Sequence, residues 1–121
     1  MKPSEKNASD LLRSIDAAGA YPESARPARY REAIDRSLGF LPATTREALA
    51  SSFEARRANG LEAASSWLAT MASVFLGDYD GGQLSGDDWR ELRDILSADS
   101  GELDMDTLTY AMTLVVEHKA L

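Results

Sequence analysis

Between Leu61 and Gly77 the chain carries a single charge, Glu62, and this segment constrains the fold more than any other. It falls short of the roughly 20 apolar residues that a bilayer core requires, and Ser65, Ser66, Thr70 and Ser73 interrupt it. Leu61, Ala64, Trp67, Leu68, Met71, Ala72, Phe75 and Leu76 recur at helical spacing and form one wide apolar stripe. A helix this apolar must be surrounded by other elements, so it is expected at the centre of the core. Its other side, Ala63, Ser66, Thr70, Ser73 and Gly77, consists of small residues that let a second backbone approach closely. Packing of that side inside the monomer is expected, with a homodimer contact as the alternative.

Start and stop signals place further helices on both sides. Ser9 to Ala18 reads as a first helix, with Ser9 as cap, Leu11, Leu12, Ile15 and Ala18 on one face, and Gly19 at its end. A second starts near Pro27, turns Tyr30, Ala33, Ile34 and Leu38 inward, and is expected to close on a left-handed Gly39 ahead of Pro42. In the third, Thr44 and Glu47 have capping-box spacing, Leu49 and Phe53 follow, and Asn59 and Gly60 end it.

Beyond Gly77, the stretch Gly82 to Trp89 can be laid over Gly101 to Leu108 at an offset of 19 residues. Each unit reads as a glycine turn, a short extended Gly-x-Leu segment that could pair into a small ribbon, and a helix. Ser85 with Asp88, and Asp104 with Thr107, stand at the spacing of a cap and its third residue. The last helix, Met105 to Lys119, is apolar on more than one side and is expected to be largely buried. The fold expected is all-α: a single compact domain over residues 9–121, a helical bundle of five or six helices, behind a flexible tail at residues 1–8.

The absence of cysteine removes disulfides, thiolate metal sites, thiol nucleophiles and iron–sulfur centres. No Gly-rich phosphate loop, Gly-x-Ser-x-Gly elbow or His-Glu-x-x-His run is present. Neighbouring acids such as Asp87 and Asp88 diverge on a helix, and Asp104 with Asp106 fares no better as an acid–base pair. His118, the one histidine, lies on the stripe of Leu108, Ala111 and Val115 at a helix carboxyl end, where a structural role is expected. Neither an enzyme nor a bound cofactor or metal is expected. Met1 to Asp10 is polar and lacks the apolar stretch of a secretory signal, so a cytoplasmic protein is expected.

With Gly82 at the sixth position, Leu84 at the eighth and Asp88 at the twelfth, the segment Gly77 to Asp88 resembles an EF-hand calcium loop. That resemblance implies calcium binding. The first, third and fifth positions, which supply oxygen ligands in such loops, are here Gly77, Tyr79 and Gly81. Starting at Asp78 recovers Asp80 as a ligand but puts Gln83 at the sharp turn and Trp89 where a bidentate carboxylate belongs. A glycine turn before a capped helix accounts for the same residues, which leaves a calcium-responsive regulator as the alternative function.

Charge is the most informative feature outside the core. Residues 1–60 hold 10 Lys and Arg against 8 Asp and Glu, or +2, while residues 61–121 hold 3 against 12, or −9, for the whole-chain −7. Arg26, Arg29, Arg31, Arg36, Arg46, Arg56 and Arg57 suggest phosphate contacts, but Glu23, Glu32, Asp35, Glu47 and Glu54 are interleaved with them, so no nucleic-acid binding is expected. The function expected is a non-enzymatic protein-interaction or adaptor module with no membrane association. Its partner is expected to be a basic protein, bound through Asp78, Asp80, Asp87, Asp88, Asp99 and Glu102 around the glycine turns. Docking of the +2 half of one copy on the −9 half of another is the alternative. A ligand that binds only the folded state raises Tm by mass action. Millimolar calcium should leave Tm unchanged in a thermal melt, and a rise of several degrees would restore the calcium reading.

Overall fold

The computed structural model describes residues 8–79, 81 and 84–119. Among them the chain is helical with no strand: α1 (Ala8–Ala18), α2 (Arg26–Ser37), α3 (Ala43–Arg57), α4 (Leu61–Leu76), α5 (Gly86–Asp99) and α6 (Met105–Glu117). The apolar stripe dictates the arrangement. Ala64, Trp67, Leu68, Met71, Ala72, Val74 and Phe75 of α4 are all buried, and α1, α3 and α6 pack around it. Helix α2 bridges α1 and α3, closing a ring of helices α1 to α4, and the α5–α6 hairpin sets α6 on α4 and α5 on α3. One apolar cluster runs through the whole, from Leu11 of α1 to Val115 of α6. Within it Tyr30 and Phe53 meet edge to face, ring centroids 5.1 Å apart, the geometry that aromatic quadrupoles favour.

Three of the expected local start and stop signals form. The Ser85 hydroxyl accepts from the Asp88 N–H at 3.1 Å and the Asp88 carboxylate accepts from the Ser85 N–H at 3.0 Å, a complete capping box. Asp104 accepts from the N–H groups of Asp106 and Thr107. Gly77, at φ 78°, closes α4 in the left-handed conformation, and the Asp78 N–H returns to the Ser73 carbonyl at 3.0 Å.

Elsewhere the structure corrects the reading. Helix α1 begins at Ala8, so Ser9 lies inside it. Gly39 does not take a positive φ, and Leu38 forms the end of α2 with its N–H on the Ile34 carbonyl. A Cβ at Gly39 would instead meet the Asp35 carbonyl oxygen at 3.0 Å, a tight contact that glycine avoids. No capping box forms at Thr44: α3 starts after Pro42, and the threonine hydroxyl donates to a residue of another helix. Gly60, at φ 133°, serves as the cap of α4.

The small side of α4 is only partly covered. Ser73 is buried, but Ala63, Ser66 and Gly77 are exposed, so close packing inside the monomer is confined to the carboxyl end of the helix. The hydroxyls of Thr70 and Ser73 turn back onto the carbonyls of Ser66 and Thr70. Nor is α6 largely buried. Ala111 and Val115 face the core, whereas Met105 and Val116 keep 71% and 51% of their surface, because α6 has neighbours on one side alone in α4 and α5. The expected ribbon is absent from the described residues: Gly101 to Leu103 is a turn, and Gly82 and Gln83 lie outside them. No described helix is long and apolar enough to cross a membrane.

Phe75, 2% exposed on the central stripe, tests this architecture. Phe75→Ala should cost about 3–5 kcal/mol in denaturant unfolding, from lost transfer energy and the cavity left behind. A near-neutral result would remove α4 from the centre of the core.

Candidate functional site

Helix α5 is fastened to α3 by polar links at both ends. At one end the Arg56 guanidinium donates to Asp88 Oδ1 at 2.6 Å and Glu91 Oε1 at 3.1 Å, and to the Ser52 hydroxyl at 2.7 Å. Ser52 in turn donates to Glu91 Oε2 at 2.6 Å. The same guanidinium lies 4.2 Å over the Trp67 ring, so Arg56 connects α3, α4 and α5. At the other end Thr44 and Thr45 of α3 donate their hydroxyls to Asp99, at 2.7 and 2.5 Å. Because Arg56 meets Asp88 while Thr44 meets Asp99, the two helices run antiparallel.

Between these fastenings lies an open groove of about 660 Å³. Its floor is Ala48 of α3 with Ile95 and Ala98 of α5, and its charged lining is Asp87, Arg90, Glu91, Arg93, Asp94 and Asp99. Arg90 pairs with Asp87 and Arg93 with Asp94 along the rim. Asp99 has hydroxyl donors and, among the described residues, no ion pair. Glu47, one turn from Thr44, and Glu102, three residues past Asp99, are exposed and have no ion pair among the described residues. Net negative charge therefore accumulates where α3 begins and α5 ends.

Of the residues expected to bind a partner, Asp87 and Asp99 line this groove, and Asp88 and Asp99 hold α5 against α3. Asp78 is half-buried in the α4–α5 loop, Glu102 stands exposed just past the Asp99 end, and Asp80 lies outside the described residues. Ala48, Glu47 and Ile95 were not singled out from the sequence. Their part in a site follows from α3 and α5 lying side by side, which no local spacing reports. His118 caps the end of α6, its N–H on the Leu114 carbonyl, with its ring stacked on Trp89 at 3.9 Å and 12°. Tyr79 meets Trp89 edge to face at 5.5 Å. The imidazole is thus a packing element between the α4–α5 loop and the hairpin. Among the described residues no group of three or more His, Asp or Glu side chains could hold a metal ion.

The arginines of the amino-terminal half are neutralised at home. Arg26 pairs with Glu23, Arg29 with Glu32, Arg31 and Arg46 with Asp35, and Arg57 with Glu23 and Glu54. The Arg57 guanidinium accordingly holds the Glu23 carboxyl below the usual carboxylate range. No protein-family model, curated protein or solved structure matches the chain.

Burial alone would push the Asp88 carboxyl up, but the Ser85 N–H, the Arg56 guanidinium and the Ser85 hydroxyl outweigh it and hold the group below the usual carboxylate range. A carboxyl depressed in the folded state stabilises the protein above its unfolded value of about 3.9 and loses that contribution as pH falls through the folded value. Asp88→Asn should therefore cost about 1–2 kcal/mol near pH 7, with the gap to the parent protein closing below about pH 4. Urea unfolding across pH measures this. A gap that persists undiminished at about pH 2 would show that the carboxylate charge is not what holds α5.

Proposed function

We propose that the chain is a non-enzymatic interaction module that takes a basic segment of a partner protein into the α3–α5 groove. The observation that carries this reading is the groove itself, where Ala48, Ile95 and Ala98 lie among the carboxylates Asp87, Glu91, Asp94 and Asp99, with Glu47 and Glu102 exposed outside its lining. Apolar contact supplies affinity, and the carboxylates steer the approach and fix the register. Among the residues lining the groove the one hydroxyl is that of Thr44, which donates to Asp99 at 2.7 Å and helps to fasten α5, and the histidine is stacked on Trp89 rather than in the lining.

The calcium-responsive alternative draws less support. Asp88, the twelfth residue of the EF-hand-like loop, already spends Oδ1 on Arg56 and Oδ2 on the Ser85 N–H, both of which a cation would have to displace. Charge-driven pairing of two copies is likewise disfavoured, because among the described residues Arg36 and Lys119 are the cations left without an ion pair. A foreign basic partner fits the surplus of acid better than a second copy does.

The double variant Glu47→Lys, Glu102→Lys tests the reading, since both side chains are exposed and neither supports the fold through an ion pair. Binding of a fluorescently labelled basic, apolar-faced peptide should weaken about tenfold or more at low salt, with a shallower salt dependence. Unchanged affinity, with the helical circular dichroism of the parent intact, would rule this surface out.

A further inference from the structure

We infer that the outward face of α6 is a self-association surface, on which a second copy of the chain lays its own α6 antiparallel. On a helical projection Leu108, Met112, Met105, Val116 and Thr109 fall within an arc of about 100° that borders the buried Val115. Met105 and Val116 are exposed, and Leu108 and Met112 are half-buried. No charged side chain interrupts this arc between Met105 and Val116. The neighbours of α6 in the bundle, α4 and α5, leave it open. A single exposed apolar residue needs no explanation, but a continuous stripe along a helix marks a contact surface.

The ends of the stripe say what covers it. Glu102, Asp104 and Asp106 stand at its amino end, and Lys119, just past its carboxyl end, is the one Lys or Arg among the described residues after Arg93. None of these four has an ion pair among the described residues. A basic segment would match the amino end but meet Lys119 at the other, and an acidic one would do the reverse. The complement is a helix with a cation at one end, acids at the other and apolar residues between, which is α6 itself run backwards. A parallel copy would set acid on acid. Met112 lies seven residues from both Met105 and Lys119. With a two-fold axis at Met112, Leu108 meets Val116 of the second copy, and Lys119 meets its Met105 and Asp106. The lysine stem covers the thioether while the ammonium group reaches the carboxylate. This pairing is apolar, with charge setting only its direction, which distinguishes it from docking of one half of the chain on the other. No residue of α6 lines the α3–α5 groove, so the two surfaces are separate.

One helix face about 16 Å long stands at the low end of interface sizes, so the dimer should exchange with monomer and grow with concentration. Sedimentation velocity on the full chain, from micromolar to millimolar at low salt, reads this. Met105→Glu with Val116→Glu, both at exposed positions, should weaken association about tenfold or more. Asp106→Lys and Lys119→Asp, also at exposed positions, should each weaken it several-fold, because each sets like charges opposite one another across the axis. An equimolar mixture of these two variants should recover the lost affinity, since every new charge then faces its opposite. A chain that stays monomeric at every concentration would overturn the inference. So would a dimer that the two glutamates leave unchanged while the helical circular dichroism is intact, because the contact would then lie elsewhere. If the glutamate variant fails to fold, the charge exchange decides: a mixture that associates no better than its components would exclude the antiparallel pairing, and the inference with it.

Discussion

A helix whose apolar stripe spans nearly half of its circumference cannot be covered by one neighbour, and α4 is such a helix. Ala64, Leu68, Met71, Ala72 and Val74 have no exposed surface, and they point over an arc of about 160° around the helix axis. Covering them takes α1, α3 and α6 at once. The positions of the remaining helices follow from this, since α2 fills the gap between α1 and α3, and α5 must lie wherever a short turn from α6 allows. Each large apolar side chain so removed from water, such as Leu68 or Met71, contributes about 1.5–3 kcal/mol against the entropy of ordering the chain.

The seam between α3 and α5 is of a different kind. What joins them is a chain of charged and hydroxyl groups: Arg56 with Asp88 and Glu91, Ser52 with Glu91, and Thr44 and Thr45 with Asp99. Asp88 does two jobs, since one oxygen caps α5 and the other receives Arg56, so the start of the helix and its tether to α3 are fixed by one side chain. Charge-assisted bonds of this sort are directional and define the register of the two helices more sharply than apolar contact would. The opposite charges of the two halves of the sequence are thereby partly satisfied inside the monomer.

The helices were legible in the sequence because their signals are local. Ser85 and Asp88 meet within one turn, and the stripe from Leu61 to Leu76 needs no partner to declare itself. Thr44 shows where such reading stops. It has capping-box spacing with Glu47, yet its hydroxyl goes to Asp99, 55 residues along the chain, because an ionised acceptor outcompetes the local backbone. Gly39 fails similarly: the residue type was right for a helix end, but the backbone there is not left-handed, and what glycine avoids is a tight contact with the Asp35 carbonyl. The groove was invisible for a related reason. Its acids could be counted, but Ala48 and Ile95 carry no chemical signature until two distant helices are set side by side.

Polar fastening of α5 explains why a groove exists at all. Had Ala48, Ser52 and Ala98 been large apolar residues, their side chains would have filled the space between α3 and α5 and buried the seam. Instead the links sit at the two ends, Arg56 with Asp88 and Thr44 with Asp99, and hold the helices at a fixed separation over short side chains. Ala48 and Ala98 stay within reach of solvent, while Ile95 is buried in the core. Such a seam gives up apolar burial that a closed interface would have gained, at about 25 cal/mol for each Å² left uncovered. The area is recoverable when a third element lies in it. A rigid frame with an unfilled apolar track also loses little conformational entropy on binding, because the charged clamps have already ordered both walls. The same residues that stabilise the hairpin on the bundle therefore preorganise the surface beside it.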